Sequence, residues 1–155
     1  MNPFAGDKDE RIDSIGETEL IERIQTWLGD ASPPSPRGIG DDCSVLPVKS
    51  SENKLLVTAD PVVYNKHFDD FLTPEQVAGK LLKRNASDIA AMGGFPRSAT
   101  LSLALPSNLS ITWLQRFYQG LAVEAKRLDT EISGGDVSST SDFLGAFMTL
   151  IGVAN

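Results

Sequence analysis

Five aspartates stand where a carboxylate can be offered to a ligand. Asp41 and Asp42 follow Gly38-Ile39-Gly40, Asp60 ends the run Lys54 to Asp60, Asp88 lies in Asn85-Ala86-Ser87-Asp88, and Asp136 follows Gly134-Gly135. Glycine tolerates unusual backbone angles and lets a ligand approach closely, so a neighbouring carboxylate is unobstructed. Carboxylates that converge in space hold hard cations. Mg²⁺ suits such oxygens, because it keeps several waters and bridges to phosphate. Aspartate also favours turns and caps for local hydrogen-bonding reasons, so any one position is weak and the set carries the signal. Asn85 and Asp88 lie three apart and share a helical face. Lys80, Lys83 and Arg84 on the same helix read as ordinary surface charge.

The remaining reactive residues name no reaction. His67 is the single histidine and Cys43 the single cysteine. No Ser-His-Asp or Cys-His set can be assembled, and Cys43 defaults to a small buried hydrophobe. The glycine-rich stretches match neither GxxxxGK[ST] nor GxGxxG. A bound nucleotide would need its phosphates held through bridging cations and backbone amides, since carboxylates repel phosphate directly.

The elements that must position these residues follow from periodicity. Leu20, Ile21, Ile24, Trp27 and Leu28 recur at helical spacing and place a helix over Gly16 to Leu28, closed by Gly29. The prolines from Ser32 to Pro36 then exclude regular structure. Lys54 to Asp60 is a buried strand with its acidic residue at the carboxyl end. Thr73-Pro74-Glu75-Gln76 is a capped helix start, with the helix running to about Met92 before Gly93-Gly94 and Pro96. Ala99 to Leu105 alternates as a strand with one buried face. Ser110 caps a third helix. Thr130 to Ser133 is a short strand ending at Gly134-Gly135-Asp136, and Phe143 to Val153 a long apolar one. The fold class is therefore α/β or α+β, several strands with three main helices.

The chain has 155 residues, enough for one domain with a core that needs neither disulfides nor a structural metal. Fourteen basic and 21 acidic side chains give a net charge of −7, which argues against nucleic acid or an anionic membrane as partner. One cysteine excludes an internal disulfide framework and fits a reducing cytoplasm. Residues 1–15 read as a flexible arm without the apolar core of a secretory signal, and 16–155 as the folded domain. An apolar strand directly before Asn155 suggests a chain cut from something longer.

Taken together, several segments resemble the N-terminal half of thiamine-monophosphate kinases. They are Gly38-Ile39-Gly40-Asp41-Asp42, Thr58-Ala59-Asp60 with His67-Phe68, Asn85-Ala86-Ser87-Asp88-Ile89-Ala90-Ala91-Met92-Gly93, Leu103-Ala104-Leu105-Pro106 and Gly134-Gly135-Asp136. The resemblance covers Glu17 to Val153 in the family's order. It implies the wider group typified by aminoimidazole ribonucleotide synthetase: a mixed β-sheet with flanking helices that pairs with its twin into a dimeric β-barrel. By that resemblance Asp42, Asp60, Asp88 and Asp136 hold Mg²⁺, and Thr58 adds an oxygen. Asp41 is the weaker neighbour of Asp42. His67 contacts the thiamine-phosphate substrate, and Gly135 and Tyr118 border ATP. Ala59 and Pro61 depart from the hydroxyl residues the family usually carries there, and the family's C-terminal half is absent from this chain.

The implied reaction moves the γ-phosphoryl of ATP onto the phosphate of thiamine monophosphate. The acceptor is already anionic, so the site must overcome charge repulsion and has little need of a base. The alternatives are another member of the same superfamily, or a non-catalytic nucleotide-binding dimerisation module.

Overall fold

The computed structural model describes residues 1–34, 39 and 54–154. Asp41, Asp42 and Cys43 lie outside the described residues. Three α-helices and four strands follow along the described chain, alternating up to β3: α1 (Glu17–Leu28), β1 (Lys54–Val63), α2 (Pro74–Ala91), β2 (Phe95–Pro106), α3 (Ile111–Arg127), β3 (Glu131–Thr140) and β4 (Gly145–Ala154).

The helix boundaries follow the expected chemistry. Thr73 Oγ1 accepts from the Gln76 amide at 3.3 Å while Gln76 Oε1 accepts from the Thr73 amide at 2.8 Å, the reciprocal pair that starts α2 with Pro74 in its first turn. Ser110 Oγ accepts from the Trp113 amide at 3.2 Å and starts α3. Gly29 and Gly93, both at positive φ, end α1 and α2.

The strands form one mixed sheet in the order β1-β4-β2-β3, with β2 and β3 parallel and the other pairs antiparallel. Helix α3 is the crossover that parallel β2 and β3 require. Helix α2 packs on β1, β4 and β2, α3 packs on α2, and α1 on α3. Leu101, Leu103, Leu105, Met148 and Leu150 point from the sheet into this layer and meet Val77, Leu81, Leu82 and Ile89 in the core. Gly152 sets the approach of α2 to β4: a Cβ there would stand 2.6 Å from Ile89 Cγ2. Among the described residues no element covers the opposite face of the sheet. Leu55, Val57 and Phe95 are each more than half exposed on the strands that border it.

Three expectations change. Strand β1 runs three residues past Asp60, through Pro61, which an edge strand tolerates because one side of its backbone needs no donor. Strand β3 does not stop at Gly134-Gly135-Asp136 but continues to Thr140, since pairing with β2 carries it on from Ser98–Glu131 to Pro106–Thr140. The first fifteen residues are not a loose arm. The Ala5 amide donates to the Asn108 carbonyl at 2.8 Å, the Ser110 amide to Pro3 at 2.6 Å and the Ile12 amide to Leu109 at 3.1 Å, and Pro3 and Ala5 are buried. Among the described residues the sheet is open, with β1 and β3 at its edges. No helix among the described residues is long and apolar enough to cross a membrane.

Candidate functional site

Strand β1 presents Thr58 and Asp60 toward the helix layer, on the same face as Leu56 and Val62, because side chains two apart share a face. Helix α2 crosses above them. Its residues 80, 84 and 88 recur every four positions and form one stripe. Thr58 Oγ1 donates to Asp88 Oδ2 at 2.7 Å, and Arg84 Nη2 pairs with Asp60 Oδ1 at 3.3 Å. Two carboxylates, a hydroxyl and a guanidinium thus meet at a partly exposed seam between strand and helix.

Asn85 holds the seam together. Its side chain is fully buried. Oδ1 accepts from the Asp60 amide at 2.9 Å, while Nδ2 donates to the Asp60 carbonyl at 3.2 Å and to the Leu81 carbonyl at 2.9 Å. Among the described residues β1 has a strand neighbour on one side only, and the amide meets the Asp60 backbone and so fixes Asp60 relative to Asp88. A buried amide with all three bonds made is stable in place, whereas an unmade one would cost the full desolvation of the group.

His67 lies on the turn after β1. Asn65 at φ 60 bends the chain, and the Asn65 amide donates to the Phe68 carbonyl at 2.8 Å. His67 Nδ1 accepts from the Val63 amide at 3.1 Å, so the neutral ring carries its proton on Nε2. Lys80 Nζ donates to the His67 carbonyl. Desolvation first, then the positive charges of Arg84, Lys80 and Lys66, lower the imidazole pKa below its ordinary 6.5, with Asp60 opposing. The ring is neutral at pH 7.

Asp136 is elsewhere. Register places Asp60 opposite Met148, Met148 opposite Leu101, and Leu101 opposite Gly135, so Gly135 stands three strands from Asp60, about 14 Å away at ordinary strand spacing. Val137 packs toward the core, which turns its neighbour Asp136 onto the uncovered face, where Ser138 Oγ donates to Asp136 Oδ2 at 2.9 Å. At Gly135 a Cβ would fall 1.9 Å from the Leu101 carbonyl oxygen, so only glycine fits. Tyr118 is buried in the helix layer, its ring 6.2 Å from Trp27 and 5.7 Å from Phe117, and burial pushes its phenol pKa up. Its ring belongs to the packing of α1 on α3 instead of an exposed site border. No group of three or more Asp, Glu, His or Cys among the described residues is close enough to hold a metal.

Of the expected set, the structure places Thr58 against Asp88 and fixes Asp60 through Asn85, sets Asp136 on the other sheet face, and does not describe Asp42. Arg84 and Lys80, which the sequence suggests are open surface, meet Asp60 and the His67 carbonyl. The four-residue spacing from Asp88 was the signal that could have found them.

The fold and these motifs define a class. Residues 40–154 match the family described as AIR synthase related protein, N-terminal domain, and the chain belongs to that family. Within it, the chain is 37% identical over 131 residues to the thiamine-monophosphate kinase of Synechococcus elongatus, covering 84% of this chain and 38% of the relative. It is 34% identical over 142 residues to that of Aquifex aeolicus, covering 92% and 44%. A solved structure of AaThiL complexed with AMPPCP and TMP superposes with a TM-score of 0.65 at 33% identity, over 93% of this chain and 44% of that one. Hydrogenase maturation protein HypE in complex with ATP superposes at 0.72 with 17% identity, over 87% and 39%, a likeness of fold alone. The chain thus spans less than half the length of these relatives.

Proposed function

We propose that this chain is the nucleotide- and Mg²⁺-binding N-terminal part of a cytoplasmic kinase that transfers the γ-phosphoryl of ATP to thiamine monophosphate. The observation that carries the reading is the 2.7 Å contact between Thr58 and Asp88, thirty residues apart in sequence, beside an Asp60 clamped by buried Asn85. Such convergence, in a relative of proteins named for this reaction, is more than the surface chemistry of a helix.

The donor set fits a hard cation. It offers carboxylate and hydroxyl oxygens without thiolate or imidazole, and the seam is open enough for water. Thr58, Asp60 and Asp88 would hold Mg²⁺, with Asp42 and Asp136 as further candidates. Bound Mg²⁺ supplies charge neutralisation between phosphates and lines up the attacking and leaving oxygens. Arg84 steadies Asp60 and places a fixed positive charge where a phosphate oxygen also suits it. Neutral His67 offers its Nε2 proton to the acceptor phosphate.

Asp136 joins the site only in a dimer. The sheet face and the β1 and β3 edges that no other described element covers are what a second copy would cover, and that closure is the proposed barrel. Gly135 then keeps the backbone beside Asp136 free of side-chain atoms.

The test is phosphoryl transfer by this chain joined to the C-terminal part of the Aquifex relative. Thiamine diphosphate formed from ATP and thiamine monophosphate supports the reading. Nucleotide binding without transfer to this acceptor would favour another reaction of the same superfamily, and absence of nucleotide binding would favour a dimerisation module.

A further inference from the structure

The N-terminal segment reaches the His67 turn. Its anchor is the connection between β2 and α3, through the bonds of Pro3, Ala5 and Ile12 to residues 108–110. Arg11 tightens the segment on itself, Nε donating to the Ala5 carbonyl at 3.3 Å and Nη2 to that of Gly6 at 3.4 Å. From this anchor the Phe4 ring meets Tyr64 edge-on, with centroids 5.4 Å apart and planes at 89°. Tyr64 in turn meets Phe68 edge-on at 5.5 Å, and Phe68 stacks on Trp113 of α3 at 5.9 Å.

Tyr64 and Phe68 bracket the turn that carries His67. Tyr64 is also fixed at both ends, its amide donating to the Leu144 carbonyl at 3.0 Å and its hydroxyl to Asp70 Oδ1 at 2.9 Å. The Tyr64–Phe68 pair is therefore clamped between Phe4 on one side and Trp113 on the other. Aromatic edge contacts of this kind are worth roughly 0.5–1.5 kcal/mol beyond the area they bury. That is enough to shift the population of a five-residue turn at the surface.

We propose that Phe4 is a positioning residue: the N-terminal segment is a strap that holds the Tyr64–Phe68 turn and so fixes the direction in which His67 offers Nε2. The role of His67 toward the acceptor rests on the function proposed above; the strap itself does not.

Because His67 is the only histidine, its ring gives one assignable Cε1–Hε1 signal in a carbon–proton NMR spectrum of the whole chain. Phe4→Ala should move that signal toward the position of a solvated imidazole and lower the exchange protection of the Val63 amide by about tenfold. Phe4→Tyr, which keeps the ring edge, should restore both. Ile24→Ala, which loosens α1 on α3, lowers stability without touching the turn and should leave the signal in place. An unmoved His67 signal and Val63 protection in folded Phe4→Ala would overturn the strap, as would equal changes in Ile24→Ala. Adding thiamine monophosphate with Mg²⁺ and AMPPCP to the wild type tests the other premise separately. A strap-dependent signal that the acceptor does not perturb would retain the strap and remove the substrate role of His67.

Discussion

Asn85 is the residue on which the site geometry turns, although it carries no charge. Asn85→Leu leaves the Asp60 amide and carbonyl without their partner in a part-buried position. We expect a loss of about 1–3 kcal/mol in urea unfolding and weakened nucleotide binding, more than an exposed substitution on α2 would cause. An Asn85→Leu chain as stable as wild type would show that water replaces the amide. His67 makes a prediction of opposite character. Its folded pKa is below the unfolded 6.5, so the folded state disfavours the proton. The contribution is fully present above about pH 6.5, is lost as pH falls through the folded value, and is flat below it. Melting temperature across pH 7.5 to 4.5 should therefore fall less in His67→Asn than in wild type, the difference opening below about pH 6.5. In the sequence a strand end flags Asp60, glycines flag Asp136, and the spacing from Asn85 flags Asp88. Arg84 was not legible, because an arginine on an amphipathic helix looks the same whether it meets water or a carboxylate on a strand twenty-four residues earlier.

At the scale of elements, the sequence marks starts and stops more firmly than lengths. Thr73-Pro74-Glu75-Gln76 announced α2 because a cap is a local interaction, and the structure shows both of its hydrogen bonds. The extent of β3 was not legible, since nothing local in Gly134-Gly135-Asp136 distinguishes a turn from a strand paired to a distant neighbour. That pairing decides the fate of Asp136: a turn would have let it swing, whereas a strand directs it to the uncovered face. Helix α2 places Asp88, and its height above the sheet depends on Gly152. Gly152→Ala would press a methyl group against Ile89 and the Phe95 carbonyl, with the nearest atoms at 2.6 and 2.8 Å. Overpacking at such a contact costs about 1–3 kcal/mol. We expect a lower melting temperature in thermal unfolding, and a weaker Mg²⁺-nucleotide affinity measured on the protein that remains folded.

At the scale of the molecule, the described residues cover one sheet face with helices and leave the other bare. Leu55 and Val57 of β1 stand opposite Val153 and Ile151 of β4, and Phe147 lies further along the same face. A contiguous apolar patch of this kind marks an interface. The chain should sediment as a dimer at micromolar concentration, and Val57→Glu should yield a folded monomer that no longer places Asp136 at the site. A wild-type monomer would remove Asp136 from the ligand set.

In the proposed site Thr58, Asp60 and Asp88 grip a cation that in turn grips a triphosphate. Calorimetric titration of AMPPCP into the chain, with Mg²⁺ and then with excess EDTA, tests it most directly when repeated on Asp88→Asn, whose amide oxygen can still accept from Thr58. Binding in Mg²⁺, none in EDTA, and a loss of at least about tenfold in affinity in the folded variant are expected, as removal of a charged ligand implies. Equal affinity in EDTA, or in Asp88→Asn, would contradict it.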